Sequence, residues 1–285
     1  MNKIKTSQKR LQCGSKILDL SKPAVMAVLN LTPDSFSDGG NVFSQAQVDP
    51  SKVLTTVSKM IDDGADIIDL GGESTRPGAK PVSVQQELDR VIPVLNSLTA
   101  NFDSVFSVDT STPEVMKEAA SAGAHIINDI SGGLYDANMF KTIAALNVPY
   151  VLMHVNDNKD EMHTVKNEAS IMPVLHNFFT TTCATAKEVG IQQLILDPGF
   201  GFSKTPEQNF EIISNLSAFA SFQKPLLIGV SRKSTIYKTL GITASEALNG
   251  TTVLHTAALL HGASILRVHD VKEANEVVTL CSYLQ

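Results

Sequence analysis

The sequence predicts a (β/α)8 barrel that spans residues 1–285 as a single domain. Eight short apolar runs of strand length recur along the chain, and their starts lie about 34 residues apart, the spacing of a strand plus a crossover helix. Several runs are nearly continuous Ile, Val and Leu, which is typical of parallel strands covered on both faces. Right-handed crossovers between eight such units favour closure into a TIM-type barrel. An open doubly wound sheet is the structural alternative.

The predicted strands follow one another at regular intervals. They are residues 24–30, 66–72, 105–110, 125–131, 149–154, 193–199, 226–231 and 264–270. A further pair of short segments, residues 10–22 around Gly14-Ser15, predicts a small hairpin that caps the bottom of the barrel.

Helical periodicity separates most of the strands. The predicted helices are residues 50–63, 82–98, 113–122, 167–189, 207–220, 245–261 and 272–284. Thr112 and Pro113 form a typical helix start. Glycines at positions 64, 123, 190 and 262 follow four of the helices, as expected of C-cap residues.

Composition excludes several classes of protein. The net charge of −6 argues against general binding to nucleic acid or to a membrane surface. The three cysteines lie far apart without a CxxC spacing, which indicates reduced thiols and a cytoplasmic protein. No apolar run reaches the length of a membrane span, and the basic amino terminus lacks the apolar core of a signal peptide.

Every predicted strand ends in a polar or charged residue. The strand ends carry, in order, Asn30, Asp69, Asp109, Asn128, His154, Asp197, Ser231 and Arg267. A single residue of this kind is usually a helix cap or a structural ion-pair partner, and Asp69 and Asp270 allow that interpretation. Eight at one end of a barrel indicate a binding site, because barrel enzymes carry their chemistry at the carboxyl ends of the strands.

The polar residues divide by charge. Asp109, Asn128 and Asp197 favour a neutral heterocycle with a guanine-like edge, since a carboxylate accepts hydrogen bonds from an amino group and a ring N–H. The cationic set comprises Arg76, Arg232, Lys233, Arg267 and His269. Two like charges 4 Å apart repel by about 4 kcal/mol at an effective dielectric of 20, so this set indicates a bound anion such as phosphate.

Seven segments in this order resemble the dihydropteroate synthase family over the chain from about residue 11 to its end. They are NLTPDSFSDGG (30–40), DLGGESTRPG (69–78), SVDT (107–110), NDISG (128–132), DPGFGF (197–202), SRKS (231–234) and RVHDV (267–271). The resemblance implies a transferase that condenses 6-hydroxymethyl-7,8-dihydropterin diphosphate with para-aminobenzoate, forming 7,8-dihydropteroate and releasing diphosphate.

The resemblance also implies residue roles. Pterin binding is expected at Asp109, Asn128, Met153, Asp197 and Lys233, and diphosphate binding at Asn30, Thr75, Arg267 and His269. Aminobenzoate is expected to contact Thr75, Arg76, Pro77, Phe202 and Ser234, beneath a lid that includes Asp34, Ser35, Phe36, Ser37, Asp38 and Gly39. Catalysis is expected from Asp109, Lys233 and Asn30, with Asn30 as a ligand of Mg2+. The resemblance also implies a homodimer; residues 245–261 and 272–284, rich in Leu and Ala, could form its interface or could equally pack on the barrel.

One loop departs from the family pattern, and two other functions stay open. Residues 155–163, VNDNKDEMH, are acidic where the family has a short loop with glycine and proline. A pterin-dependent methyltransferase that passes a methyl group to a corrinoid could use the same acidic residues. A non-catalytic pterin-binding barrel is the alternative from another class.

Overall fold

Twelve strands and nine helices make up the regular structure of the described residues in the computed structural model, which are 9–32, 43–44, 47–74, 79, 81–155, 162–165 and 170–284. The strands are β1 (Arg10–Cys13), β2 (Lys16–Asp19), β3 (Ala24–Asn30), β4 (Phe43–Ser44), β5 (Gln47–Val48), β6 (Ile67–Gly71), β7 (Val105–Asp109), β8 (Ile126–Asp129), β9 (Tyr150–Met153), β10 (Leu194–Asp197), β11 (Leu227–Ile228) and β12 (Ile265–Val268). The helices are α1 (Pro50–Asp62), α2 (Val84–Asn101), α3 (Pro113–Ser121), α4 (Met139–Leu146), α5 (Met172–Glu188), α6 (Pro206–Ser214), α7 (Ser234–Leu240), α8 (Leu248–Leu260) and α9 (Val271–Cys281).

Eight parallel strands form the barrel. Their order is β10-β9-β8-β7-β6-β3-β12-β11. A parallel bridge between Leu196 and Leu226 joins the two ends of this row. The predicted barrel is therefore confirmed, and the open-sheet alternative is wrong. All eight predicted strands are present, each ending within three residues of its predicted bounds.

The helices agree less closely with the sequence pattern. The prediction missed α4 and α7, which are only eight and seven residues long and show too few turns of periodicity to stand out. The helix predicted over 207–220 ends at Ser214 and continues as a 3-10 segment, Leu216–Phe222. The helix predicted over 245–261 begins with a 3-10 turn, Ala244–Glu246, before α8.

The predicted caps are largely present. The glycines at 64, 123, 190 and 262 have φ between 92° and 102°, a backbone conformation that other residues rarely adopt. Thr112 is the N-cap residue of α3, but its hydroxyl bonds Glu87 Oε2 at 3.2 Å instead of the helix backbone.

The β1–β2 hairpin closes the amino-terminal end of the barrel, as predicted. Its buried residues pack on the lowest inward-facing side chains of the strands, and we call this set the basal layer. The basal layer comprises Leu11, Cys13, Leu18, Leu20, Ala24, Met26, Ile67, Val105, Ile126, Val151, Ile195, Leu227 and Ile265. All thirteen are 8% exposed or less, so the lower barrel is a buried apolar core.

The side chains directly above the basal layer are polar, and the alternation of side chains along each strand explains why they face the same interior. Side chains two positions apart in a strand face the same way. Four polar residues each lie two positions after an isoleucine of the basal layer. They are Asp69 after Ile67, Asn128 after Ile126, Asp197 after Ile195 and Arg267 after Ile265. The polar strand ends therefore project into one barrel interior, immediately above the basal layer.

Candidate active site at the carboxyl ends of the strands

A row of four neighbouring residues forms one wall of the barrel mouth. Strand register places Asn30 beside Gly71, Gly71 beside Asp109, and Asp109 beside Asn128. A Cβ built on Gly71 would lie 3.9 Å from Asn30 Oδ1 and 3.9 Å from the Asp109 Cβ. Glycine at this position thus leaves space between two oxygen-bearing side chains.

Arg267 lies between two carboxylates. Its Nε donates to Asp69 Oδ2 at 2.7 Å and its Nη2 donates to Asp109 Oδ2 at 2.6 Å. Asp69 is completely buried, whereas the side chains of Asp109 and Arg267 are 12% and 25% exposed. Asp69 therefore holds the guanidinium from the buried side. Asp109 holds it from the partly exposed side, where a ligand could approach.

Asn128 is fixed by the same buried carboxylate. Its Nδ2 donates to Asp69 Oδ2 at 3.0 Å, and this bond sets the orientation of the amide. Asp69 Oδ1 and the hydroxyl of Ser107, the register neighbour of Asp69, have no hydrogen-bond partner among the described residues. Asp69 thus positions two predicted ligand-binding residues while lying beneath them.

Asp197 and Lys233 are a second pair of opposite charges, which act on each other electrostatically. Asp197 Oδ1 accepts a hydrogen bond from the backbone N–H of Gly199 at 2.7 Å. Lys233 Nζ donates to the carbonyl of Phe200 at 2.5 Å and lies 4.6 Å from the centroid of the Phe202 ring, within cation–π range. Burial raises the pKa of Asp197, and the charge of Lys233 opposes that rise.

The electrostatics link both pairs into one site. Burial raises the pKa of Asp109 to about 7; the Arg267 charge opposes this shift and the Asp69 charge adds to it. Burial lowers the pKa of Lys233 to about 8, with Asp197 opposing the shift. Burial also lowers the pKa of Arg267, but Asp69 and Asp109 outweigh burial, so the net shift is upward and the guanidinium stays charged. Such perturbed groups at a barrel mouth are typical of a functional site.

Arg232 does not belong to this cluster, contrary to the sequence-based interpretation. Its Nε and Nη2 bind the two oxygens of Asp270, each at 2.8 Å, and its Nη1 donates to the carbonyls of Ala244 and Ser245. Repulsion persists between Arg267 and Lys233, because the Arg267 charge lowers the pKa of Lys233, but Arg232 and Arg267 both have carboxylate partners. An anion is not required to neutralise them.

The remaining predicted residues lie around the rim. His269 Nδ1 is 3.1 Å from Ser231 Oγ, and Ser234 is the first residue of α7. Phe202 packs at the edge of an apolar cluster of Ile130, Met153, Val155 and Met162. In the atypical loop, His163 stacks on the Phe202 ring at a centroid distance of 6.0 Å.

Several predictions lie outside the described residues. They concern the lid residues Asp34, Ser35, Phe36, Ser37, Asp38 and Gly39, the binding residues Thr75, Arg76 and Pro77, and positions 156–161 of the atypical loop.

Two buried residues were not predicted as part of the site. The sequence allows a purely structural role for Asp69, but its position two residues after the basal Ile67 shows that it faces inward. Lys204 is only 6% exposed and lies behind the loop that carries Phe202. A lysine after a glycine-rich loop gives no sequence signal of burial, because lysine is usually exposed.

Asp129, the residue after Asn128, is a buried carboxylate with a structural role and is not part of the site. Its carboxylate accepts hydrogen bonds from the Tyr150 hydroxyl, from the backbone N–H and hydroxyl of Ser131, and from the backbone N–H of Gly133. These donors satisfy the buried carboxylate within the protein.

Comparison with known proteins identifies the family to which the chain belongs. The profile of the family described as pterin binding enzyme matches residues 26–269, which include every polar strand end described above. The chain belongs to the pterin-binding enzyme family.

The similar proteins narrow this class to the dihydropteroate synthase family. The chain is 44% identical to the Escherichia coli (strain K12) dihydropteroate synthase over 263 residues, which are 92% of this chain and 91% of that protein. A structure of the Yersinia pestis dihydropteroate synthase with a sulfonamide drug is 40% identical, with a TM-score of 0.90 over 96% of this chain and 98% of that one. The Xanthomonas albilineans dihydropteroate synthase with 4-aminobenzoic acid is 37% identical, with a TM-score of 0.88 over 97% and 98%.

Proposed function

We propose that this chain condenses 6-hydroxymethyl-7,8-dihydropterin diphosphate with para-aminobenzoate, forming 7,8-dihydropteroate and releasing diphosphate. The observation that carries the proposal is the grouping of Asp109, Asn128, Asp197, Lys233 and Arg267 at one end of the barrel interior, where hydrogen bonds or electrostatic interactions relate them. It combines acceptors for a heterocycle with donors for an anion in one place. Similarity to dihydropteroate synthases over more than nine tenths of the chain supports it.

The acidic residues would hold the pterin. Asp109 and Asp197 carry carboxylate oxygens that can accept hydrogen bonds from the amino group and ring N–H groups, and Asn128 can both donate and accept. Lys233 lies close enough to Asp197 for their charges to shift each other's pKa, and it would add a donor to the acceptors that surround the ring. Met153, 2% exposed, would contact the ring from the apolar side.

Arg267 and His269 would hold the diphosphate. Nε and Nη2 of Arg267 bind Asp69 and Asp109, whereas Nη1 has no hydrogen-bond partner among the described residues and is available to an incoming phosphate oxygen. Asn30 and Thr75 would complete this subsite. A donor already fixed by Asp69 needs little reorganisation as negative charge grows on the leaving group.

The reaction would be a substitution at the pterin methylene carbon with a carbocation-like transition state. The bond from that carbon to the diphosphate oxygen breaks, and its electron pair leaves with the diphosphate. The Asp109 carboxylate stabilises the positive charge that develops on the pterin. The aminobenzoate nitrogen then forms the new C–N bond and loses a proton. No covalent intermediate with the protein is needed.

The aminobenzoate would lie between the rim residues and the lid. Phe202 and Ser234 would contact it, and Thr75, Arg76 and Pro77 would complete the subsite. The lid residues 34–39 would exclude water when both substrates are bound.

Mg2+ is proposed as a substrate-borne ion with Asn30 as its protein ligand. The Asn30 amide oxygen faces the space beside Gly71, and an uncharged oxygen suits a hard cation. No group of three His, Cys, Asp or Glu side chains among the described residues could hold a metal by itself. This donor set fits an ion that arrives on phosphate oxygens, where it would help to neutralise the leaving group.

We also propose a homodimer and a cytoplasmic location. Val253 and Leu260, two turns apart on α8, are 58% and 38% exposed, and Leu280 on the adjacent α9 is 67% exposed. Burial of these side chains against a second copy would remove apolar surface from water. Cys13, Cys183 and Cys281 are free thiols, which suits a reducing compartment. No helix in the described part of the chain could cross a bilayer by its length and apolarity.

The test is release of diphosphate from the purified chain mixed with both substrates and Mg2+. We expect release that depends on both substrates and that is lost in Asp109→Asn. Methyl transfer from a methylated pterin to a corrinoid without diphosphate release would support the methyltransferase instead. Pterin binding with neither product would support a non-catalytic barrel.

A further inference from the structure

Lys204 is buried behind the loop that follows β10, where no substrate contact is assigned to it. The residue is 6% exposed. Its ammonium nitrogen lies 3.0 Å from the carbonyl of Gly199, 3.0 Å from that of Phe202, and 3.4 Å from that of His154. It is also 3.1 Å from His154 Nδ1.

The four contacts are one more than the three N–H donors of an ammonium group, and the 3.4 Å contact to the His154 carbonyl is the longest of them. An ammonium group has three N–H donors and no acceptor, and every group around Lys204 Nζ accepts when His154 carries its proton on Nε2. Burial of the amine is costly, and it lowers the pKa of Lys204 to about 7 even though the Asp197 charge opposes the shift. The compensation for burying this amine comes from two carbonyls of the loop, so the lysine and the loop backbone are directly linked.

The loop is held from both sides. Lys204 binds the carbonyls of Gly199 and Phe202 from behind, whereas Lys233 binds the intervening carbonyl of Phe200 from the side of the active site. A Cβ built on Gly199 would lie 2.0 Å from the His154 carbonyl oxygen, so the loop runs directly against the end of β9. Asn209 Oδ1 accepts from the Gly201 backbone N–H at 2.7 Å and secures the middle of the loop.

The Phe202 side chain depends on this backbone. Ser203, the next residue, has a φ of 48°, and such a left-handed conformation persists only where surrounding contacts fix it. The bond from Lys204 to the Phe202 carbonyl lies immediately before that residue. Loss of the bond would let the backbone turn at Ser203 and move the phenyl ring that the proposed function places against aminobenzoate.

We propose that Lys204 is a positioning residue for the aminobenzoate site, which acts by binding the carbonyls of Gly199, Phe202 and His154 and thereby fixing the Phe202 ring. The proposal rests on the proposed function, because it assumes that Phe202 contacts aminobenzoate. It extends that function to a residue outside substrate contact.

The experiment compares Lys204→Met with Lys187→Met, an exposed lysine in the last turn of α5. Diphosphate release is measured while each substrate is varied in turn. For Lys204→Met we expect the KM for aminobenzoate to rise about tenfold, and the KM for pterin diphosphate to change by less than about threefold. Lys187→Met should leave both constants unchanged. Lys204→Arg, which keeps a charged donor, should recover part of the loss.

A merely structural lysine would give a different result. Loss of folded protein lowers the apparent kcat and leaves both KM values unchanged, and that outcome overturns the proposal, as does an equal rise in both KM values. If Lys204→Met does not fold, Lys204→Gln retains a shorter donor, and the same KM split decides the question.

A double-mutant cycle tests the route through Phe202. If Lys204 acts through the ring, the effects of Lys204→Met and Phe202→Leu on the KM for aminobenzoate will be less than additive. Additive effects contradict the route. If the wild-type chain releases no diphosphate, the proposed function fails; if it does and Lys204→Met behaves as the wild type, only the role of Lys204 fails.

Discussion

The lower and upper halves of the barrel interior are built from the same strands and have opposite chemistry. The basal layer is apolar and contains no charged side chain. Two residues further along the strands, Asp69, Asn128, Asp197 and Arg267 form a polar network. The comparison shows that a spacing of only two residues separates the side chains that stabilise this barrel from those that form its candidate active site.

The two layers also differ energetically. Fully burying a leucine or isoleucine side chain contributes about 1.5–3 kcal/mol, so the basal layer favours folding directly. Folding of the upper layer moves charged side chains out of water, which costs desolvation free energy. The attraction between opposite charges offsets that cost only in part. The shifted pKa values of Asp109 and Lys233 reflect the imbalance. Substitutions in the two layers should therefore have separable effects on stability and on turnover.

The largest expected effect is on turnover, in the upper layer. Asp109→Asn keeps the shape of the side chain but removes the negative charge that faces the developing cation, so kcat/KM should fall roughly a thousandfold, about 4 kcal/mol. The free energy of unfolding should change by less than about 1 kcal/mol, because Arg267 keeps Asp69 as a carboxylate partner and is not left as an uncompensated charge. Steady-state diphosphate release and urea unfolding measure the two quantities. An unchanged rate contradicts the role of Asp109.

The converse is expected in the basal layer. Leu11→Ala, at a completely buried hairpin position, should lower the free energy of unfolding by about 3 kcal/mol, since it leaves a cavity. Both KM values should stay within about twofold of the wild type. Ile17→Ala on the same hairpin is the control, because Ile17 is 58% exposed and should cost less than about 0.5 kcal/mol. A large KM change in Leu11→Ala would break the separation of the layers.

A smaller effect is expected at the edge of the upper layer. Lys233→Ala removes a charged donor near Asp197 and should weaken pterin binding roughly thirtyfold, about 2 kcal/mol. Calorimetric titration with a pterin measures the affinity. Lys238→Ala on the exposed face of α7 is the matched control and should bind as the wild type does. Equal affinities in Lys233→Ala and the wild type contradict the assignment.

The smallest effect is the pH dependence of stability. Burial raises the pKa of Asp109 to about 7, so from about pH 4 to pH 7 the folded chain keeps a proton that the unfolded chain has lost, and stability falls as pH rises. Burial lowers the pKa of Lys204 to about 7 and of Lys233 to about 8, so above these values the unfolded chain holds the extra protons and stability rises again. Urea unfolding should therefore show a minimum near neutral pH.

Asp109→Asn sharpens this last prediction. The variant should lose part of the decrease between about pH 4 and pH 7, on the order of 1 kcal/mol, because Asp109 no longer titrates. Parallel curves for the variant and the wild type contradict the raised pKa of Asp109. Lys204→Met should instead remove part of the rise above pH 7.

The strands and their polar ends could be predicted because both follow from local pattern. Ile67 and Asp69, or Ile195 and Asp197, are two residues apart, and alternation alone places each pair on one face. The short helices α4 and α7 could not be predicted, since two turns carry little periodicity. Arg232 was assigned to the wrong partner because its carboxylate, Asp270, lies 38 residues away in sequence.

The sequence by itself determined the barrel, its apolar floor and the ring of polar strand ends, because hydrophobic periodicity and strand alternation act over a few residues. Only the tertiary structure decided which charges meet. Arg267 pairs with Asp69 and Asp109, which are 198 and 158 residues away, and Lys204 reaches back 50 residues to His154. Ion pairs and buried hydrogen bonds depend on distances of a few ångströms, and closure of the barrel sets those distances between segments that have no relation along the chain.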